Sequence, residues 1–225
     1  MDGVINIDKP AGMSSAAVVG RVKRMLPRGV KVGHAGTLDP FATGVLVVLV
    51  GKATRLAERF MSEPKQYLAT IKLGATTETL DPESEEIVTE GATARSREVV
   101  EEVLRRFVGE LDQKPPVYSA LKIHGKAAYR LAREGKAVEL AARRVKVYGI
   151  ELMGYEWPMV EVKIDCGRGT YIRSIARDVG EALGMGGYLV KLRRTRVGRF
   201  WSEGAVGLQD LEGRGVAAAM VQTGD

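Results

Sequence analysis

Six consecutive aliphatic residues, at positions 45–50, constrain this chain most, because a loop that cannot be regular structure precedes them directly. Such a run predicts a buried strand. The preceding residues, 33–44, are rich in Gly and Pro and contain Asp39. Loops held by a rigid strand concentrate binding and catalytic groups, so Asp39 is the first candidate functional residue. The alternative is that Asp39 and Pro40 form an ordinary turn.

Helix and strand patterns alternate along the rest of the chain. A strand is predicted at 4–7, a helix from Ser14 or Ser15 to Pro27, and a further helix at 53–61. Residues 66–73 alternate as a strand that places Tyr67 on a buried face. The acidic stretch 76–91 is predicted to be an exposed connection, followed by a helix that begins at Ser96.

The second half predicts a basic arm, two strands, a helix and a last strand. The arm, residues 113–143, is broken by Pro115 and Pro116 and carries a short helix near 127–133. Strands are predicted at 145–153, 159–166 and 188–197. The helix after residue 171 packs by its apolar side and presents Arg173 and Arg177 on another.

Composition excludes several classes of protein. The chain has 225 residues, of which 45% are hydrophobic and 28% charged, which predicts one large globular domain with a mobile insert. No apolar run reaches the roughly 20 residues that span a bilayer, and the N-terminus does not resemble a signal peptide. A cytoplasmic location is therefore expected. One cysteine and two histidines cannot build a disulfide framework or a thiolate metal site.

Positive charge is concentrated locally. The net charge is +6, yet residues 122–146 hold eight basic and two acidic residues, and residues 191–199 hold five basic and none acidic. This distribution favours a polyanion, most often nucleic acid, bound through its phosphates. The alternative is that both runs are solvated faces.

Six segments, in order, resemble the bacterial TruB family of pseudouridine synthases, which modify uridine 55 in the T-loop of tRNA. They are DKPAGMSS from residue 8, the run at 33–46, KQY at 65–67, PPVYSALK at 115–122, GTYIR at 169–173 and LRR at 192–194. The resemblance implies an α+β pseudouridine synthase fold: a central, mostly antiparallel mixed sheet flanked by helices, with residues 113–143 as a thumb-like insertion. It also implies an isomerase that flips uracil out of the RNA, detaches it and rejoins it through carbon, without cofactor or metal.

The same resemblance assigns three catalytic residues. Asp39 aligns with the family's catalytic aspartate, which must be ionised to act as nucleophile or general base. Arg173 aligns with the arginine that pairs with it, and a guanidinium favours an ionised carboxylate. Tyr67 aligns with a tyrosine that stacks on the flipped base and takes part in proton transfer, although a strand Tyr is more often core packing.

Substrate-binding residues are also implied by alignment. His34 matches a histidine that fills the gap left by extruded bases. Lys9 and Leu192 match residues that support or line the pocket, although such residues are more often a solvated lysine and a core leucine. In the thumb-like insertion, phosphate contacts are expected from four basic residues: Lys122, Lys126, Arg130 and Arg133.

The resemblance further predicts the domain organisation and partners. Residues 1–212 are expected to form the catalytic domain and residues 213–225 a C-terminal tail, without the PUA-type RNA-binding domain of most bacterial relatives. The expected partner is the T-arm of tRNA, with no membrane, guide RNA or obligate protein partner, and the protein is expected to be a monomer. Two alternatives remain: an RNA chaperone that refolds tRNA without chemistry, and the same isomerisation on another hairpin shaped like a T-loop.

Overall fold

A computed structural model of the protein describes residues 1–119, 121–123, 126–134 and 138–221. The side chains of six of these residues lie outside that description: Lys122, Ile123, Lys126, Ala127, Tyr129 and Arg133. The backbone forms two compact units. The first unit comprises Met1–Leu68 and Leu192–Asp225, and the second comprises Ala69–Lys191.

The first unit begins with a strand, a capped helix and a two-stranded hairpin around the Asp39 loop. Its elements are β1 (Gly3–Lys9), α1 (Ser15–Arg24), β2 (Val32–His34), β3 (Thr43–Val50), a 3₁₀ helix (Gly51–Leu56), α2 (Ala57–Ser62) and the start of β4 (Lys65–Leu73). Helix α1 begins where predicted, because the Ser14 hydroxyl accepts a hydrogen bond from the Ala17 amide at 3.1 Å. Strand β3 pairs antiparallel with both β1 and β2.

The second unit contains the basic arm and two long strands. Its elements are the end of β4, β5 (Ala75–Thr77), β6 (Glu86–Val88), α3 (Arg97–Arg105), β7 (Gly109–Gln113), β8 (Lys122–Ile123), β9 (Lys126–Ala127), α4 (Ala128–Arg133), β10 (Arg143–Glu156), β11 (Met159–Cys166), α5 (Ile172–Ala182) and the start of β12 (Gly187–Val197). Strand β10 pairs antiparallel with both β11 and β7. The arm carries the β8–β9 hairpin and α4, which matches the short helix predicted there.

The chain returns to the first unit in the last residues of β12. The elements that follow are β13 (Phe200–Trp201), β14 (Val206–Gly207), α6 (Leu208–Arg214) and α7 (Val216–Ala219). The segment predicted to be a C-terminal tail thus includes α7, whose Val216 is buried, and Val221 bridges to Val4.

The main sheet runs in the order β14-β1-β3-β12-β4-β11-β10-β7, with β2 added on β3 and β13 on β12. The β1–β14 and β3–β12 pairs are parallel, whereas β1–β3, β2–β3, β10–β11 and β7–β10 are antiparallel. The predicted α+β class with a mixed, mostly antiparallel sheet is confirmed.

Strand β3 is buried, as its aliphatic run predicted, and both of its faces are covered. Leu46, Val48 and Val50 pack with residues of α1, α6 and α7. The alternate residues of the strand pack on the other face with Phe60 and Phe200. The loop that ends at β3 is therefore attached to the most completely buried strand of the first unit.

One sequence prediction is confirmed in a modified form and another is wrong in part. The helix predicted at 53–61 is divided between the 3₁₀ helix, which contains residues 53–56, and α2. The acidic stretch is not simply an exposed connection, because it forms the β5–β6 hairpin and buries Thr77 and Asp81 to 3% and 2% exposure. The buried carboxylate is needed there as the partner of a buried arginine, described below.

Candidate active site

Arg194 holds the backbone of the loop between β2 and β3, residues 35–42, which contains Asp39 and is called the Asp39 loop. Its guanidinium is 1% exposed and donates to three backbone carbonyls: Nη2 to Gly36 at 3.2 Å, Nη1 to Thr37 at 3.3 Å and Nε to Val45 at 2.7 Å. These carbonyls lie on both sides of Asp39 in the chain. One rigid, planar group therefore fixes the two ends of the loop relative to strand β12.

Two further side chains hold the residues that flank Asp39. The Ser15 hydroxyl accepts from the Leu38 amide and donates to the Leu38 carbonyl, both at 2.9 Å. The Lys9 ammonium, with 0% exposure, donates to the Pro40 carbonyl at 3.1 Å. Because both neighbours are tied down, the partly exposed Asp39 side chain projects from a fixed backbone.

The Lys9 ammonium also organises the turn that follows β1. It donates to the Pro10 carbonyl at 2.8 Å and to the Met13 carbonyl at 2.6 Å, and the Gly12 amide donates to the Pro40 carbonyl at 2.9 Å. A buried ammonium is stable when several oxygens surround it, which this geometry provides. The solvated-turn alternative for Lys9 is therefore wrong, and its predicted supporting position is in contact with the Asp39 loop.

Gly44 allows β12 to approach the end of the loop. Its φ is +101°, and a Cβ built there would lie 2.2 Å from the Arg194 carbonyl oxygen. Strand β12 pairs parallel with β3 at this point, with Arg194 opposite Gly44. No side chain larger than hydrogen fits without moving the strand that carries Arg194.

A bidentate ion pair lies beside this network. The Arg193 guanidinium donates to both carboxylate oxygens of Asp8, at 3.1 and 3.0 Å. Both side chains are more than one third exposed, so the pair contributes little to stability. It does join β1 to β12 beside Lys9 and Arg194.

His34 ends β2 directly before the loop and is half-buried. Removal of the ring from water lowers the pKa of His34, and the positive charge of Arg194 lowers this pKa further, while the Gly36 backbone acts in the opposite direction. Nδ1 is buried and has no hydrogen-bond partner among the residues that the structure describes. The ring is therefore neutral near pH 7, which suits stacking better than phosphate binding.

Tyr67 and Leu192 are both 7% exposed. Tyr67 lies on the buried face of β4 together with Ala69 and Ile71, as the alternation predicted. On the same strand, the Lys65 ammonium is held by the carbonyls of Met61 and Glu63, at 2.7 and 2.6 Å. Burial alone does not separate a pocket role from core packing, so the roles of Tyr67 and Leu192 stay predictions.

Arg173 lies in the second unit, on α5, and is 5% exposed. Nη1 lies 3.0 Å from Asp81 Oδ2 and donates to the Thr79 carbonyl at 2.8 Å, while Nη2 donates to the Tyr118 carbonyl at 2.9 Å. The expectation that α5 presents this guanidinium away from its packed side is therefore wrong. The pairing of Arg173 with Asp39 stays a prediction.

The acidic loop that receives Arg173 is itself ordered by hydrogen bonds. Asp81 Oδ1 accepts from the Thr79 hydroxyl at 2.5 Å and from the Glu83 amide at 3.0 Å. Leu80, between them, adopts a φ of +61°, which is unusual for a residue other than Gly. The strained backbone is held where it places the Asp81 carboxylate against α5.

The start of the basic arm is attached to α5. The Gln113 side-chain amide bonds both the carbonyl and the amide of Tyr171, at 3.1 and 2.8 Å. Ser174 and Arg177 both donate to the Lys114 carbonyl, at 2.9 and 3.0 Å. Further along the arm Arg130 is exposed on α4, as phosphate binding requires, whereas contacts of the other three predicted basic side chains lie outside the described part of the chain.

Three residues that position this site were missed from sequence: Arg194, Ser15 and Asp81. Arg194 had a signal, because the alternation of β12 puts it on the same face as buried Leu192, where an arginine is rarely placed without a purpose. Ser15 resembled a helix cap, and Asp81 was one of six acidic residues with nothing to distinguish it.

The described residues contain no group of three or more His, Cys, Asp or Glu side chains that could hold a metal ion. Every helix in the same part of the chain is too short or too polar to span a bilayer.

Residues 23–172 match the family model described as TruB family pseudouridylate synthase (N terminal domain). The chain belongs to the TruB family. Residues 173–220 match a second model, the tRNA pseudouridylate synthase B C-terminal domain. The TruB resemblance predicted from six short motifs is confirmed over most of the chain.

Curated relatives with similar sequences support the same family assignment. A tRNA pseudouridine synthase B of Clostridium kluyveri is 43% identical over 216 residues, which cover 96% of this chain and 74% of the relative. The protein of the same name from a Mycobacterium species is 49% identical over 213 residues, covering 93% and 71%, respectively. That of Mycobacterium tuberculosis is 46% identical over 216 residues, covering 94% and 72%.

Solved structures show the same fold. A chain in a Cbf5-Nop10-Gar1 complex superposes with a TM-score of 0.72 at 34% identity over 93% of this TruB family chain. A chain in an H/ACA RNP bound to a substrate RNA gives a TM-score of 0.69 at 32% identity. This chain spans about half the length of each, 53% and 52%. The predicted pseudouridine synthase fold is confirmed.

Proposed function

We propose that this chain isomerises a uridine of tRNA to pseudouridine, that the target lies in the T-loop at position 55, and that Asp39 is the catalytic carboxylate. The observation that carries the proposal is the Asp39 loop itself. Arg194, Ser15 and Lys9 fix its backbone, in a chain of the TruB family whose curated relatives are named tRNA pseudouridine synthase B.

The reaction balances without any added group. The bond between N1 of uracil and C1′ of the ribose breaks, the base rotates, and a bond forms between C5 and C1′. C5 loses its proton and N1 gains one, so the product is an isomer of the substrate. The protein has to supply an ionised carboxylate as nucleophile or general base, a path for one proton, and a pocket that holds the detached base.

The residues of the first unit suit these requirements. A fixed Asp39 backbone restricts the positions that the carboxylate can reach, so that less orientational freedom is lost in the transition state. Tyr67, two residues after Lys65 on β4, has a flat apolar ring and a hydroxyl group. Leu192 has an apolar side chain that can line the pocket. In our proposal, Tyr67 stacks on the flipped uracil and takes part in the transfer of the C5 proton.

Base flipping requires that the gap in the RNA be filled. The neutral, half-buried ring of His34 has the character of a stacking group, and it directly precedes the Asp39 loop. We propose that His34 inserts among the bases of the T-loop while Asp39 acts on the extruded uridine. The exposed Arg130 and the other basic residues of the arm then bind phosphates.

We propose that Arg173 is the arginine that pairs with Asp39. Its guanidinium is fixed by Asp81 and two carbonyls, so it can offer a positive charge to a substrate-facing carboxylate without reorganising. We further propose that the protein acts in the cytoplasm as a monomer on the T-arm of tRNA, without guide RNA or partner protein.

The test maps pseudouridine in unmodified tRNA through its stable carbodiimide adduct, with the whole tRNA and an isolated T-arm hairpin as substrates. We expect one modified position, at the T-loop uridine of both RNAs, and no modification when that uridine is replaced by cytidine. Modification elsewhere would overturn the T-loop assignment. Binding without any modification would favour the RNA chaperone.

A further inference from the structure

A third basic region lies nearer the N-terminus than the two basic runs at 122–146 and 191–199. Between Asp8 and Asp39 there is no acidic residue, while six Lys or Arg residues occur. Lys9 is one of them and is buried in the Asp39 loop network. We call the other five the N-terminal basic surface: Arg21, Lys23, Arg24, Arg28 and Lys31.

These five side chains are available to a ligand. Arg21 is half-buried and the other four are exposed. Among the residues that the structure describes, none of the five forms an ion pair. Helix α3 provides a contrast, because there Arg97, Arg105 and Arg106 pair with glutamates one turn away.

A structural role explains only part of this charge. Arg21, Lys23 and Arg24 lie in the last turn of α1, where cations offset the helix dipole. Arg28 and Lys31 lie beyond the end of α1, so they do not serve that purpose. Their charges repel one another and those of the helix end in the absence of an anion.

The position of the surface points to its ligand. Lys31 directly precedes β2, which ends at His34, and the Lys31 carbonyl accepts from the Gly51 amide at 2.7 Å. The basic residues are therefore on the same short stretch of backbone as the ring proposed to enter the T-loop. A group that binds phosphates here would hold the RNA strand next to the extruded nucleotide.

We propose that the N-terminal basic surface binds the sugar–phosphate backbone of the RNA substrate, in a manner independent of base sequence. The inference rests on the proposed function for the identity of the RNA. Five cations that form no ion pair among the described residues, in a stretch of sequence without Asp or Glu, match a polyanion. Phosphate contacts of this kind fix orientation rather than read sequence.

The experiment compares two triple variants that lose the same net charge. One is Arg24→Gln/Arg28→Gln/Lys31→Gln, and the matched control on α3 is Arg97→Gln/Arg105→Gln/Arg106→Gln. The Kd for unmodified tRNA is measured from 50 to 250 mM salt, together with the enzyme concentration that gives half the maximal single-turnover rate. The double variant Arg28→Gln/Lys31→Gln tests the residues that lie outside the helix.

The surface triple variant should weaken binding by about tenfold at low salt and reduce the slope of log Kd against log salt by about 2 to 3. The enzyme concentration that gives half the maximal single-turnover rate should rise by the same factor as Kd. The double variant Arg28→Gln/Lys31→Gln should show most of this effect, whereas the α3 control should match wild type. Equal effects of both triples, or an unchanged slope, would overturn the proposal. If wild type binds tRNA in this way but never isomerises it, the proposed function fails and the surface assignment stands.

Discussion

Arg173 and Asp81 form a buried ion pair, in which Nη1 lies 3.0 Å from Oδ2 and the two side chains are 5% and 3% exposed. The carboxylate is supplied by the acidic loop and the guanidinium by helix α5. Burial makes each charge dependent on the other, because neither can be solvated by water. The pair thus fixes both the loop and the predicted partner of Asp39.

Replacement of Asp81 by Asn should therefore be costly. We expect Asp81→Asn to lower the free energy of unfolding by about 3–5 kcal/mol, because it leaves a buried guanidinium without a counter-charge. Glu85→Gln is the control, since Glu85 is exposed in the same loop, and it should change stability by less than about 0.5 kcal/mol. Urea unfolding measures both, and similar values for the two variants would contradict a stabilising role of the pair.

Gly44 provides a test of the contact between the loop and β12. Gly44→Ala combines a positive φ with a clash against the Arg194 carbonyl, whereas Gly29→Ala has a comparable φ of +90° and no atom within 4 Å. Gly29→Ala should cost about 1–2 kcal/mol for the backbone conformation. Gly44→Ala should cost clearly more in the same urea titration. Equal costs would mean that β12 moves aside without penalty.

Arg194 should contribute, after burial, to the lowered pKa of His34. Burial lowers the pKa of His34 and the Arg194 charge lowers it further, so Arg194→Met should raise this pKa while burial keeps it below its ordinary value. NMR titration of the imidazole signals measures it, with His124→Gln used for assignment because the chain has two histidines. Arg194→Lys should keep most of the effect, and Arg196→Gln on the same strand should keep all of it. An unchanged pKa in Arg194→Met would contradict the electrostatic link.

The lowered pKa also predicts how stability depends on pH. In the unfolded chain His34 has an ordinary pKa near 6.5, whereas in the folded protein its pKa is lower. The unfolded chain therefore binds a proton more readily than the folded protein does. Protonation therefore favours unfolding, and the contribution of His34 to stability is lost as pH falls from about 7 through 6.5 and below. Between pH 8 and pH 5.5, the free energy of unfolding should decrease more in wild type than in His34→Gln. Parallel losses in the two proteins would mean that His34 is not responsible.

Periodicity and spacing predicted most of the fold and part of the site. The aliphatic run of β3 and the alternation of β4 predicted correctly which residues are buried, because the hydrophobic pattern of a strand reflects which of its faces are covered. The Asp39 loop was recognisable because Gly and Pro exclude regular structure. Asp81 and Arg194 could not be interpreted in the same way, since their importance comes from partners 92 and 149 residues away in sequence. Such pairs are created by tertiary structure.

The catalytic role of Asp39 is tested most directly by the release of tritium from tRNA labelled at C5 of uridine. Wild type and Asp39→Asn are compared under single-turnover conditions. The C5 hydrogen must leave when the carbon–carbon bond to the ribose forms, so its release measures the chemistry itself. We expect wild type to release one equivalent per target uridine. Asp39→Asn should release none above background, because an amide cannot replace the ionised carboxylate. Its Kd for tRNA should stay within about twofold of wild type, because Asn has nearly the size of Asp and the contacts that hold the loop are made to the backbone of Leu38 and Pro40. Release by Asp39→Asn at a rate near that of wild type would contradict the catalytic role of Asp39.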